Sequence, residues 1–164
     1  VSYAEKTTVS AEKSRAEIEA TLLRYGATRF AYMIGGDRAQ IAFEANGRLL
    51  RFELPLPDPK DRAFTHMRRR GGYPIARSEG AARAAYDQAL RQRWRALALC
   101  IKAKLEAVEA RISTFEDEFL AHIVIPGDGR TAGDWLRPQL ALAYETGTMP
   151  PLLLTGPREG DVAP

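Results

Sequence analysis

Cysteine is nearly missing from this 164-residue chain, where Cys100 stands alone. A single thiol closes no intramolecular disulfide and fills no multi-cysteine zinc site, which suits a reducing compartment. Histidine is almost as scarce, with only His66 and His122, so acid–base and metal chemistry lack their commonest carrier. No apolar run approaches the roughly 20 residues that span a bilayer. The opening VSYAEKTTVS holds no apolar core of a secretion signal. The sequence therefore predicts a soluble, cytoplasmic protein with no membrane contact. Phosphate-cradling loops are also lacking. Gly35-Gly36 and Gly71-Gly72 are isolated pairs, and neither leads through a glycine-rich turn to a lysine. No cofactor is expected.

What is present is enough for one domain with its own core. Residues 1–154 read as a single α+β domain and 155–164 as a disordered tail. A first helix is predicted over residues 10–25, with Ser14 and Glu17 at capping-box spacing, Ile18, Leu22 and Tyr25 on one face, and Gly26 as the stop. Three strands follow, over residues 28–34, 39–45 and 48–54. Ile41 and Phe43 alternate with Gln40 and Glu44, and Leu50, Phe52 and Leu54 with Arg51 and Glu53. Gly35-Gly36-Asp37 closes the first turn. Asn46-Gly47 marks the second, since a type I′ turn needs positive φ at both central residues. Pro55, Pro57 and Pro59 end the meander.

Residues 58–77 lack periodicity and read as a long basic loop, a length that in compact domains usually accompanies function or disorder. Ser78 then caps a long helix. Its apolar stripe runs Leu90, Trp94, Leu97, Ile101, Leu105, Val108 and Ile112 in steps of three and four. Leu99 and Cys100 fall off the stripe, which predicts cover from a second side and a buried thiol. Ser113 with Glu116 is read as the cap of an acidic helix burying Phe115, Phe119, Leu120 and Ile123. Thr131 with Asp134 opens a last helix, bent or interrupted at Pro138 and stopped by Gly147. The expected fold is thus a helix, a three-stranded antiparallel meander, a long helix packed on it through Leu97, Ile101 and Leu105, and two shorter C-terminal helices completing the core.

Charge is the one signal above background. Up to Asp58 acids and bases cancel; from Pro59 to Arg111 bases outnumber acids thirteen to five; from Ile112 onward acids lead eight to three. Lys60, Arg62, Arg68, Arg69, Arg70 and Arg77 fall in the loop, and Arg83, Arg91, Arg93 and Arg95 follow on the helix. Guanidinium groups neutralise phosphates and exposed aromatic rings stack on unpaired bases. Arg68, Arg69, Arg70, Tyr73, Arg77, Arg91 and Arg95 are therefore the expected nucleic-acid-binding residues, with single-stranded DNA favoured. A non-enzymatic role is expected, because Asp37, Glu44 and Glu53 lack the lysine partners of a nuclease. Glu118 and His122, four apart on a helix, are two metal donors where a structural site needs four. The alternative is a protein–protein or self-associating module that pairs the basic middle with the acidic end.

The order helix, three strands, helix resembles the double-stranded-RNA-binding domain, but that family begins its second helix with a lysine cluster. Here the start reads Glu79-Gly80-Ala81-Ala82-Arg83. It is also similar, in topology alone, to the core of single-strand annealing proteins. At the level of residues, SRAEIEATLLRYGATRF (14–30), RWRALALCIKAKLEAVEARISTFEDEFLAHIVIP (93–126) and GRTAGDWL (129–136) resemble small proteins encoded in bacteriophages and prophages. That resemblance implies a phage or mobile-element context; in the interaction alternative the partner is a phage or host protein or a second copy of the chain. The resemblance brings no catalytic residue to carry over.

Overall fold

The computed structural model describes residue 4, residues 6–67 and residues 71–148. Helix α1 (Ala11–Arg24) leads into three antiparallel strands, β1 (Arg29–Gly35), β2 (Arg38–Ala45) and β3 (Arg48–Pro55), paired in that order. The Asn46-Gly47 turn has φ of 49° and 68°, as its sequence requires. A one-turn helix α2 (Arg62–Thr65) and a two-stranded ribbon, β4 (His66–Met67) with β5 (Ile75–Ala76), precede α3 (Glu79–Glu109). Short α4 (Phe115–Phe119) and α5 (Ala132–Thr146) complete the chain.

The register sets which side chains go inward. Ile41 lies opposite Phe52, Phe43 opposite Leu50 and Ala39 opposite Leu54, and all six are buried. They form one cluster with Trp94, Leu97, Ile101 and Leu105 of α3, Ile18 and Leu22 of α1, and Phe115 and Phe119 of α4. A three-stranded sheet needs such a cover on its apolar face to be stable. The opposite face is polar, with Arg29–Glu44 and Arg38–Glu53 pairing across strands. Helix α1 runs parallel to α3. Gln88 Nε2 donates to Thr7 O at 3.0 Å, Arg95 pairs with Glu17 and Arg24 with Glu106, so both helices advance together.

Several expectations change. The cap of α1 is Ser10, whose Oγ accepts from Lys13 N; Ser14 lies inside the helix, fully buried, and its hydroxyl has no partner among the described residues. Thr114 rather than Ser113 caps α4, accepting from Asp117 N. Residues 58–77 are not a featureless loop, because they carry α2 and the ribbon. Cys100 is exposed, since no described element covers α3 on that side, and Ile112 and Leu120 are exposed as well. Helix α5 has the Thr131–Asp134 capping box and a left-handed Gly147 at its end, yet buries no residue, so it flanks the core rather than completing it. Among the described residues no helix is long and apolar enough to cross a membrane.

Candidate nucleic-acid interface

Local capping builds the basic segment. Asp58 Oδ1 accepts from Lys60 N at 2.9 Å, and Asp61 caps α2 by accepting from Ala63 N at 2.9 Å. Short acidic side chains satisfy the first free N–H groups of a helix in this way. The Phe64 ring then meets Tyr86 of α3 edge-on, 5.9 Å between centroids. That contact seats α2 on the first turns of α3. Arg77 ties the ribbon to it: its N–H donates to Thr65 O at 2.8 Å and its Nε to His66 O at 3.2 Å.

Two hollows meet at Arg77. One, of about 360 Å³, is lined by Arg62, Ala63, His66, Met67, Pro74 and Arg77, with no carboxylate among its described residues. The other, of about 640 Å³, adds Arg83 and Tyr86 but also Glu79 and Asp87. Arg62, Arg77 and Arg83 form no ion pair with a described residue; among the described bases of the segment only Arg95 and Lys104 do. Tyr73 stands in the connection between the ribbon strands with its ring in solvent, 93% exposed. Guanidinium groups with no carboxylate partner among the described residues, in a unit that also carries an exposed aromatic ring, are the parts with which single-stranded nucleic acid is held.

The structure divides the expected residues. Tyr73 and Arg77 flank β5 of the ribbon. Arg91 and Arg95 do not join them: Arg91 donates from Nε and Nη2 to Gln88 Oε1 at 3.0 and 2.6 Å beside Lys6, Thr7 and Thr8, and Arg95 pairs with Glu17 on α1. Arg68, Arg69 and Arg70 lie outside the described residues. Arg62 and His66 enter instead. The Asp61 cap ahead of Arg62 was the signal for the turn of helix, whereas the two-residue ribbon strands His66-Met67 and Ile75-Ala76 carry no β-former pattern that could have announced them.

The other notable polar group lies at the end of the sheet. Glu118 is engaged by Lys104 Nζ at 3.2 Å, and His122 stacks on Phe52 with centroids 3.8 Å apart. Among the described residues no group of three or more His, Cys, Asp or Glu is placed to hold a metal. Burial, reinforced by the Lys104 charge, lowers the His122 imidazole below the ordinary histidine value. In the window between the ordinary value of about 6.5 and the lower folded one, the unfolded chain binds more protons. Stability is thus complete above about pH 6.5 and falls as pH drops through that window. Urea unfolding at about pH 7.5 and 5.5 should show the loss. It should shrink in His122→Phe, which keeps the ring stack without the titration; an unchanged pH slope in that variant would assign the effect elsewhere.

No protein-family model, no curated protein and no solved structure matches this chain.

Proposed function

We propose that the protein contacts single-stranded nucleic acid through the α2–ribbon unit, as a non-enzymatic accessory in phage or mobile-element recombination or replication. The observation that carries this reading is a hollow walled by Arg62, His66 and Arg77, with no carboxylate among its described lining, on the same ribbon unit as the open ring of Tyr73. The guanidinium groups would hold phosphates and Tyr73 would stack on a base. The sequence resemblance supports the context, and the arginine run at 68–70 adds charge to the same connection.

Fluorescence anisotropy with a labelled DNA oligonucleotide at two salt concentrations is the test. Binding should weaken steeply with salt, because each neutralised phosphate of a single strand contributes a slope of about −0.7. Tyr73→Ala should weaken binding by about 1 kcal/mol, roughly fivefold, at constant slope. Arg62→Ala should instead reduce the slope. Neither side chain is buried, so thermal stability should stay near the parent's. Absence of binding at low salt would remove the proposal and leave the protein-interaction alternative.

A further inference from the structure

Among the described residues one edge of the sheet is covered and the other is bare. Beside β3, Ile123 bridges to Leu50 and Val124 N donates to Leu49 O at 2.8 Å. Beside β1 no described strand is paired. Natural edge strands are protected by a charge, a proline or a bulge, because their free N–H and C=O groups template pairing. From Phe30 to Gly36 this edge has neither charge nor proline. Tyr32, Met33 and Ile34 are 51%, 66% and 53% exposed. Phe30, Tyr32 and Ile34 lie opposite the buried Phe43, Ile41 and Ala39, so the apolar face of the sheet continues to this edge, where Phe30 packs on the core, Arg15 lies 5.4 Å from the Tyr32 ring centre and Ile34 is open.

We propose that β1 is a self-pairing edge, joining a second copy of this chain antiparallel about a two-fold axis at Tyr32 to make a six-stranded sheet. Symmetry and charge both select a second copy. A two-fold interface must be complementary to itself. With Tyr32 at the midpoint of Arg29–Gly35, Phe30 of one copy meets Ile34 of the other, and Tyr32 meets Tyr32. The charges flanking this neutral stretch are opposite in sign and sit at opposite ends. Arg29 opens the strand and Asp37 follows it, with side chains 79% and 81% exposed. The antiparallel register sets Arg29 opposite Gly35 of the other copy, two residues from its Asp37 and within diagonal reach, and the symmetry makes this contact twice. A parallel alignment would bring like charges together. A seam this short lies at the small end of stable interfaces, so the association is reversible.

Equilibrium sedimentation from about 1 µM to several hundred µM tests this, a range that brackets weak dimers. The mass should rise from one chain towards two. Tyr32→Lys, which sets two lysines directly opposite, should raise the dimer dissociation constant at least tenfold with unchanged circular dichroism. Met33→Lys, which sets each lysine opposite Ala31 and diagonal to its symmetry mate on the exposed outer face, should weaken the same seam even if loss of the Tyr32 ring disturbs the fold. In a Cys100→Ser background, Tyr32→Cys should oxidise to a linked dimer, because residues directly opposite fall within disulfide reach, while Arg29→Cys should not. A chain that stays monomeric throughout overturns the proposal. So does a dimer indifferent to both lysines, or one that links at position 29 instead of 32.

Discussion

Trp94→Ala is expected to lower the unfolding free energy by about 4 kcal/mol, within the range for deleting a large core aromatic. For a chain of this length that moves the thermal midpoint down by roughly 8–16 °C. Trp94 is 1% exposed and belongs to the cluster that joins α1, α3 and the sheet. Its loss opens a cavity at that junction, and it also strands Arg15. The Arg15 guanidinium sits 5.4 Å from the Trp94 ring centre and 5.4 Å from that of Tyr32, a cation held between two aromatic faces. Trp94→Phe restores part of the volume and one face, so it should recover about half of the loss. Calorimetry or urea unfolding measures both. A Trp94→Ala midpoint near the parent's would mean that the ring is not the filler of this junction.

Gly133→Ala should destabilise by about 2 kcal/mol, although alanine is the better helix former by about 1 kcal/mol. The sign is decided by one contact. A Cβ on Gly133 would lie 2.7 Å from the backbone oxygen of Ala121 and 3.2 Å from the Ala121 Cβ. A backbone carbonyl cannot swing aside as a long side chain can. The first turn of α5 is equally fixed, by the capping box and by Ala132 N donating to Ile123 O at 2.8 Å. Alanine must therefore push α5 off the segment that follows α4. Limited proteolysis should then cut within α5 before the core unfolds. A stabilised Gly133→Ala protein would show that this close approach is absent in solution.

How much was legible in the sequence follows from how local each signal was. The meander reads directly, because strict alternation and Asn46-Gly47 are short-range features and the observed strands differ from the expected ones by single residues. The stripe of α3 reads equally well where it touches the sheet and fails at Ile112, which lies beyond the helix end. Caps were displaced wherever two hydroxyl residues competed: Ser10 against Ser14, Thr114 against Ser113. Spacing cannot choose between such neighbours without knowing which one the core claims. Burial around Cys100 and along α5 depends on what stands opposite, information that a helix period does not contain. The same holds for the candidate site. Arg91 and Arg95 share a helical face as expected, but α1 approaches that face, and Arg77 acquires Arg62 through a ribbon too short to leave a periodic trace.

Helix α3 is longer than anything it packs against. Its 31 residues extend about 46 Å, while an eight-residue strand of the sheet covers about 27 Å. All its buried side chains fall at Trp94 or later, and the turns from Glu79 to Arg93 bury none. The helix therefore behaves as a cantilever, clamped at one end and carrying α2 and the ribbon near the other. Substitutions in α2 and the ribbon lie apart from the core cluster that holds the clamp, so their energies should add to those of clamp substitutions. The ribbon can then change its charge or its aromatic residue while the clamp keeps the stability of the whole.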